Sequence, residues 1–176
     1  MRMKRLLFAI LCLLLLSPVL SRAETITHNF HTMSGTPALS YESNNTVGIT
    51  DLVRYTCSGG AKAKFNSNTG KICICLPDRY DQVETSPSIA DLESLEIMYF
   101  PIESRRTIKV YASIDNDVWT EATVEQSVPG ATTFQLPATG DYYLKFKNEA
   151  TSNDFYIRQI NYIIKPSCAC LKVVSE

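Results

Sequence analysis

The segment SIDNDVWT, residues Ser113–Thr120, contains side chains that could bind a metal ion or a ligand. Two acidic residues there precede Trp119, the only tryptophan of the chain. Asp and Asn side chains bond their own backbone and tolerate left-handed dihedral angles. The triplet from Asp115 to Asp117 therefore predicts a hairpin turn, with Trp119 on the returning strand as a core or sheet-face residue. Calcium is the second interpretation, because hard cations bind carboxylate oxygens. Two acids two residues apart would need distant further ligands, and their spacing does not match an EF-hand loop.

Aromatic residues next to polar ones point to sugar binding. The apolar C–H surface of a sugar stacks on an aromatic ring while flanking polar side chains bond its hydroxyls. Tyr80 lies in the polar segment PDRYDQ beside Arg79, and we predict it to be an exposed loop aromatic. The predicted ligand-binding residues are Trp119, Tyr80, Arg79, Asp115 and Asp117, with Tyr143 and Tyr156 as further outward-facing aromatics. For each tyrosine the alternative is a sheet residue that half covers the core.

Cysteines form two similar pairs, Cys73 with Cys75 and Cys168 with Cys170. Cys73 and Cys75 face the same side of a predicted strand and are too far apart to bond each other. The two pairs side by side predict two adjacent disulfide bridges between the strand and the C-terminal tail. A four-thiolate zinc site and simple buried thiols are the alternatives, and the one-residue spacing counts against zinc. Cys57 is the predicted spare thiol, which stays free or pairs with another chain.

No catalytic constellation is recognisable in the sequence. It contains no Gly-x-Ser-x-Gly elbow, phosphate-binding glycine loop or His-Glu-x-x-His motif. His28 and His31 would point to opposite faces of a strand, which does not suit a shared metal ion. We therefore predict that the protein is not an enzyme, and name no catalytic residue.

Strand patterns dominate the chain and would position these side chains. TIKVYASI alternates strictly, with Ile108, Val110, Ala112 and Ile114 on one face. DYYLKFKN places Tyr142, Leu144 and Phe146 inward and Lys145 and Lys147 outward. SLEIMYFP, GKICICLP and TTFQLP read as further strands, and ETITHNF, LVRYTCSG and VWTEATVE as weaker ones. DFYIRQINYIIK changes phase, which predicts a β-bulge near Gln159. Turn signals at short spacing, among them Thr139-Gly140-Asp141, complete the pattern of an all-β antiparallel sandwich or barrel.

Two segments resemble a known family. IKVYASIDNDVWTEAT is similar to the discoidin (coagulation-factor type C) pattern, in which a strand ends in Ser-x-Asp-Gly/Asn before a Trp-Thr. LPATGDYYLKFKNEATSNDFYIRQINY resembles the late strands of galactose-binding-like jelly rolls. The cysteine at each end that often staples discoidin domains is missing here. The resemblance, which spans residues 94–164, implies a jelly-roll β-sandwich of a secreted bacterial protein. It implies carbohydrate or cell-surface binding only through fold analogy.

The N-terminus has the form of an export signal. Basic MRMKR precedes the apolar run LLFAILCLLLL, and small residues at Ser21 and Ala23 predict cleavage after residue 23. We therefore divide the chain into a signal peptide (1–23), a β-sandwich domain (24–165) and a tail with Cys-x-Cys (166–176). This predicts a secreted, periplasmic or cell-surface protein that is not inserted in the membrane after cleavage.

The net charge of the predicted mature chain argues against nucleic acid as a partner. The signal segment contains four of the 17 basic residues, which leaves 13 against 18 acidic ones. An acidic domain of this kind is a poor partner for nucleic acid, which requires clustered positive charge. The sequence thus predicts a secreted, non-catalytic module that binds a carbohydrate or a surface protein. A structural or assembly subunit is the alternative, and a small jelly-roll hydrolase or lyase comes last.

Overall fold

Antiparallel strands make up most of the residues that a computed structural model describes, which are 23–30, 48–49, 53–66, 71–79, 81–100, 108–149 and 154–165. The strands are β1 (Glu24–Asn29), β2 (Gly48–Ile49), β3 (Arg54–Ser58), β4 (Lys62–Asn66), β5 (Lys71–Leu76), β6 (Gln82–Ser86), β7 (Ile89–Phe100), β8 (Ile108–Ser113), β9 (Thr120–Glu121), β10 (Thr123–Val128), β11 (Ala131–Asn148) and β12 (Phe155–Ile164). Apart from Ala23, the predicted signal peptide and the tail after residue 165 lie outside the described residues. Within the described ranges no helix is long and apolar enough to cross a membrane.

The strands form two sheets. Sheet A has the order β10–β11–β7–β12. On the side of β12 away from β7, residues 155–157 of β12 pair with β5 and residues 159–164 pair with β1. Strand β4 then pairs with β5. Sheet B has the order β2–β3–β6–β11–β8–β9. The predicted all-β sandwich is therefore confirmed.

Strand β11 belongs to both sheets. Its first part pairs with β7 and β10 in sheet A, and from Tyr143 onward it pairs with β6 and β8 in sheet B. The predicted turn at Thr139-Gly140-Asp141 is wrong, because the chain stays extended there and only shifts register on either side of Gly140. The glycine relieves crowding, since a Cβ at this position would lie 3.3 Å from the Tyr142 ring. The two strands predicted from TTFQLP and DYYLKFKN are thus one.

The core lies between the two sheets and follows the alternation of the sequence. Buried side chains come from sheet A, for example Leu95 and Ile160, and from sheet B, for example Val110 and Leu144. Ile114 does not follow the predicted alternation, because β8 ends at Ser113 and the side chain of Ile114 is 72% exposed.

The predicted bulge in β12 is present. Ile157 pairs with Tyr99 and Gln159 pairs with Met98, so one residue of β12 is extra at this point. The bulge turns Ile160 and Tyr162 toward the core after Phe155 and Ile157, and all four are buried. The phase change in the sequence therefore has a structural cause.

Candidate functional site

The β8–β9 hairpin is held together by the side chain of Asp115. Its Oδ1 accepts hydrogen bonds from the Asp117 N–H (2.9 Å), the Val118 N–H (3.0 Å) and the Ser113 hydroxyl (2.9 Å). These bonds, those from the backbone first, lower the pKa of Asp115 to about 2. Asn116 takes the left-handed conformation with a φ of 63°. The hairpin turn predicted from this triplet is confirmed.

The turn places Trp119 on the outer face of sheet B, half-buried and outside the core. The Nζ atom of Lys145 lies 4.0 Å from the centre of the indole ring. The same ammonium group forms an ion pair with Glu84 Oε1 at 3.1 Å. Trp119 is therefore a sheet-face residue whose ring is held in place by a lysine that is itself anchored to β6.

Two tyrosines lie around the same lysine. Tyr111 of β8 is directly opposite Lys145 in the register of the sheet, and residues opposite each other share a face. Tyr143 is two residues before Lys145 on β11, about 6.7 Å along the strand on the same face. Both tyrosines are half-buried. We call Trp119, Tyr111 and Tyr143 together with Lys145 the aromatic platform.

Arg79, which follows β5, lies beside Glu149, the residue after the end of β11. Its Nε is 3.9 Å from Glu149 Oε2, and Lys147 Nζ is 3.6 Å from the other oxygen of that carboxylate. Lys145 and Glu149 are four residues apart, about 13 Å in extended chain. Arg79 thus borders the outer face of sheet B at some distance from Trp119, whereas Tyr80 lies outside the described residues.

Asp81 is buried, although it belongs to the segment that the sequence predicts to be an exposed loop. It accepts hydrogen bonds from the backbone N–H groups of Gly60 and Asp78, the latter at 2.7 Å. Its carbonyl oxygen accepts the N–H of Asn148 at 3.2 Å. Asp81 therefore ties two turns to the end of β11 and has a structural role.

Behind the hairpin lies a cavity of about 250 Å³. Ile114, Val118 and Ser113 line it from the hairpin, and Pro137 and Tyr142 line it from the part of β11 that crosses between the sheets. Ile114 and Val118 are 72% and 69% exposed, whereas Tyr142 is 5% exposed. The cavity is thus open and largely apolar, and it lies on the opposite side of the hairpin from Trp119.

The cysteines are not arranged as the sequence predicts. Cys75 is a buried free thiol whose pKa burial raises to about 12, so the bridge predicted for it is not formed. Cys75 pairs with Tyr156 near the start of β12, far along the strand from Lys165, the last described residue before the tail.

Of the other four cysteines of the predicted mature chain, Cys57 and Cys73 are described by the structure. Cys168 and Cys170 lie outside the described residues, so a single bridge to Cys73, which is buried, stays a prediction. Cys57 is a free thiol in the core, and burial raises its pKa to about 12. A thiol in that state is a weak nucleophile.

Metal ligands do not gather in the described part of the chain, where no three His, Cys, Asp or Glu side chains come together. One oxygen of Asp115 is occupied by the turn, so Asp115 and Asp117 alone do not fit a calcium site. Calcium binding stays a prediction. His28 is buried, with its Nδ1 2.5 Å from the Tyr55 hydroxyl, and belongs to the core; His31 lies outside the described residues.

Comparison with known proteins finds solved structures that have a similar fold. No protein-family model matches the sequence, and no characterised protein matches it as a relative. Two solved mutant forms of a family 29 carbohydrate-binding module match the structure. One has a TM-score of 0.51 and 13% identity over 81% of this chain and 86% of that one. The other has a TM-score of 0.50 and 11% identity over 82% and 100%.

The chain therefore has a β-sandwich fold like that of these two solved structures. The predicted galactose-binding-like β-sandwich is thereby confirmed, and at this level of identity the likeness concerns the fold alone. A low-affinity xylan-binding module from Roseburia intestinalis also matches, with a TM-score of 0.47 and 12% identity over 81% of this chain and 96% of that one.

Sequence reasoning found Trp119 and Tyr143 but missed Tyr111, Lys145 and Glu84 as parts of one site. The alternation of β8 and β11 already put Tyr111 and Lys145 on outward faces. Only the strand register, which depends on the whole sheet, brings them together.

Proposed function

We propose that the protein is a non-catalytic module that binds a carbohydrate on the outer face of sheet B. The observation that carries this proposal is the aromatic platform, in which Lys145 lies against the Trp119 ring and has Tyr111 and Tyr143 as its neighbours on the same face. The likeness of the fold to carbohydrate-binding modules supports it. A secreted or cell-surface location fits this role and is part of the proposal.

The platform suits a sugar chain for chemical reasons. The apolar face of a pyranose ring stacks on an aromatic ring, and its hydroxyls bond charged and amide groups beside it. Lys145 covers one face of Trp119, so the sugar stacks on the other. The carboxylates of Glu84 and Glu121 and the tyrosine hydroxyls are then the nearby bonding groups.

Charge on this face favours a neutral glycan. The three outward lysines of β8 and β11 are all paired, Lys109 with Glu121, Lys145 with Glu84 and Lys147 with Glu149. A polyanion such as a polyuronate would bind to unpaired cations, and these lysines offer none among the described residues. We therefore propose an uncharged polysaccharide or oligosaccharide as the ligand.

The assembly role has less support in the structure. Strand β10 is an exposed edge of sheet A, but its side chains, TVEQSV, are mostly polar. A bulge between Val124 and Gln126 also interrupts its pairing, and bulges and charges on an edge discourage strand addition. Strand β10 therefore does not offer a continuous apolar edge that would recruit another chain.

A glycan array followed by calorimetric titration of the wild type and both variants tests the proposal. Because Trp119 is the only tryptophan, a change in the indole emission of the wild type also reports on the platform. Trp119→Ala should weaken binding of the best neutral glycan about 30-fold, the usual cost of about 2 kcal/mol for a buried aromatic anchor. The matched control is Tyr156→Ala, an outward aromatic of sheet A that bonds Asp154.

The two variants separate the outcomes. The proposal requires that Tyr156→Ala binds as the wild type does while Trp119→Ala does not. Failure to bind any glycan, or equal affinity in the two variants, would refute binding at the platform and favour the assembly role.

A further inference from the structure

The cavity behind the hairpin is not explained by folding or by the platform. Two large aliphatic side chains, Ile114 and Val118, are more than two-thirds exposed at its mouth. Adjacent exposed apolar side chains around a concavity mark a binding site more often than they contribute to stability. They lie on a tight turn that would tolerate polar residues equally well.

Tyr142 supplies a polar group to the wall of the cavity. It lines the cavity, and its side chain is more than nine-tenths buried. Its ring leans over Gly140, where an added Cβ would be 3.7 Å from the hydroxyl oxygen. No hydrogen bond of that hydroxyl is seen within the described residues, and it is not a buried atom without a partner, so solvent reaches it from the cavity. The Tyr142 hydroxyl can therefore donate or accept a hydrogen bond inside the cavity.

Asp115 adds a second polar group at the rim. All three hydrogen bonds that hold the turn go to its Oδ1. The Oδ2 oxygen has no partner in the described part of the chain and can accept hydrogen bonds from a ligand. The cavity therefore combines apolar walls from Ile114, Val118 and Pro137 with one tyrosine hydroxyl and one carboxylate oxygen.

We propose that this cavity is a second binding site, which takes one sugar residue that carries a methyl group. A 6-deoxyhexose and an N-acetylated sugar both meet this description. The methyl group packs between Ile114 and Val118, and ring hydroxyls bond the Tyr142 hydroxyl and Asp115 Oδ2. The volume of about 250 Å³ is below the roughly 300–1,000 Å³ of pockets for drug-sized ligands, so it suits one residue and not a chain.

The test uses pairs of monosaccharides that differ at the methyl group. The protein is titrated with L-fucose against L-galactose, and with N-acetylglucosamine against glucose, while NMR follows the methyl signals of Ile114. Burial of one methyl group predicts that at least one methyl-bearing sugar binds about fourfold or more tightly than its partner. Shifts at Ile114 without that preference, or no shift with any of the four sugars, would overturn the proposal.

Two variants locate the site and separate it from the platform. Tyr142→Phe keeps the ring in the core and should weaken the methyl-bearing sugar about twofold to tenfold, the range for one neutral hydrogen bond. It should leave polysaccharide binding at the platform unchanged. Trp119→Ala should do the reverse. Loss of monosaccharide binding in Trp119→Ala but not in Tyr142→Phe would place the sugar on the platform and refute a second site.

Discussion

The outer face of sheet A around Asn161 and the outer face of sheet B around Trp119 differ in how their side chains are paired. On sheet A, amide and acid side chains bond one another. Asn161 accepts from Thr27 and Gln159 at 2.9 Å and donates to Glu96 at 2.6 Å, and Asn29 donates to Gln159 at 3.0 Å. On sheet B, aromatic rings stand among lysine–glutamate pairs. A face whose polar groups satisfy each other has little left for a ligand, whereas ring faces become fully covered only when something stacks on them.

The largest effect should come from the polar link between the two layers. Tyr55 of sheet B bonds His28 at 2.5 Å and Tyr162 at 2.8 Å, both on sheet A, and all three are buried. Tyr55→Phe leaves two buried polar groups without this partner, so unfolding free energy should fall by about 1–3 kcal/mol. Urea unfolding measures this. Tyr143→Phe, on the outer face, is the control and should change stability by less than about 0.5 kcal/mol.

The polar network of sheet A should contribute to stability and not to binding. Asn161→Ala removes three side-chain hydrogen bonds from a half-buried position, and we expect a loss of about 1 kcal/mol in unfolding free energy. Glycan affinity at the platform should be unchanged. If Asn161→Ala keeps its stability but loses glycan binding, the ligand binds on the outer face of sheet A and the prediction is wrong.

A smaller effect is expected at the ion pair that holds Lys145. Glu84→Gln removes the charge but keeps the shape, and both partners are partly exposed. Unfolding free energy should fall by less than about 1 kcal/mol. Because the lysine is then less constrained above the indole ring, the emission of Trp119 should shift. Glu93→Gln, whose partner Lys165 lies far from any tryptophan, should leave the emission spectrum as it is.

The smallest effect concerns the hairpin that presents Trp119. The pKa of Asp115 is lowered to about 2 in the folded protein from an ordinary value of 3.8. Its stabilising contribution is therefore complete above pH 3.8 and is lost as the pH falls from 3.8 toward 2. NMR titration of the carboxyl carbon should give a midpoint near 2, and Ser113→Ala should raise it. A midpoint near 3.8 in the wild type would mean that the turn is not formed as described.

The sequence was sufficient where alternation was strong. Strands β8 and β12 and even the bulge at Gln159 follow from the phase of their apolar residues, since a one-residue slip would expose them. Strand β6 was missed because QVETS contains one apolar residue, and its inward Thr85 is satisfied by donation from Leu144 N–H at 2.9 Å. Strand β4 was missed because KAKFN is short and its buried residue, Ala63, is small and lies between two lysines.

The site was harder to predict than the fold. Trp119 could be selected from its type and its turn, but its neighbours come from β6, β8 and β11, which are far apart in the sequence. Gly140 resembled a turn because glycine marks many turns. Here it serves a strand that passes from one sheet to the other, and no local pattern distinguishes the two cases.

The course of β11 has a consequence for attempts to divide the molecule. A break near residues 137–139, which are exposed, would give two fragments. The longer one would lack the strand between β6 and β8 that carries Lys145, and the shorter one would be only the second part of β11 with β12. When the two fragments bind each other, both sheets and the contact between Lys145 and Trp119 would therefore re-form together. A break at residues 137–139 is thus a suitable position for a split reporter of glycan binding.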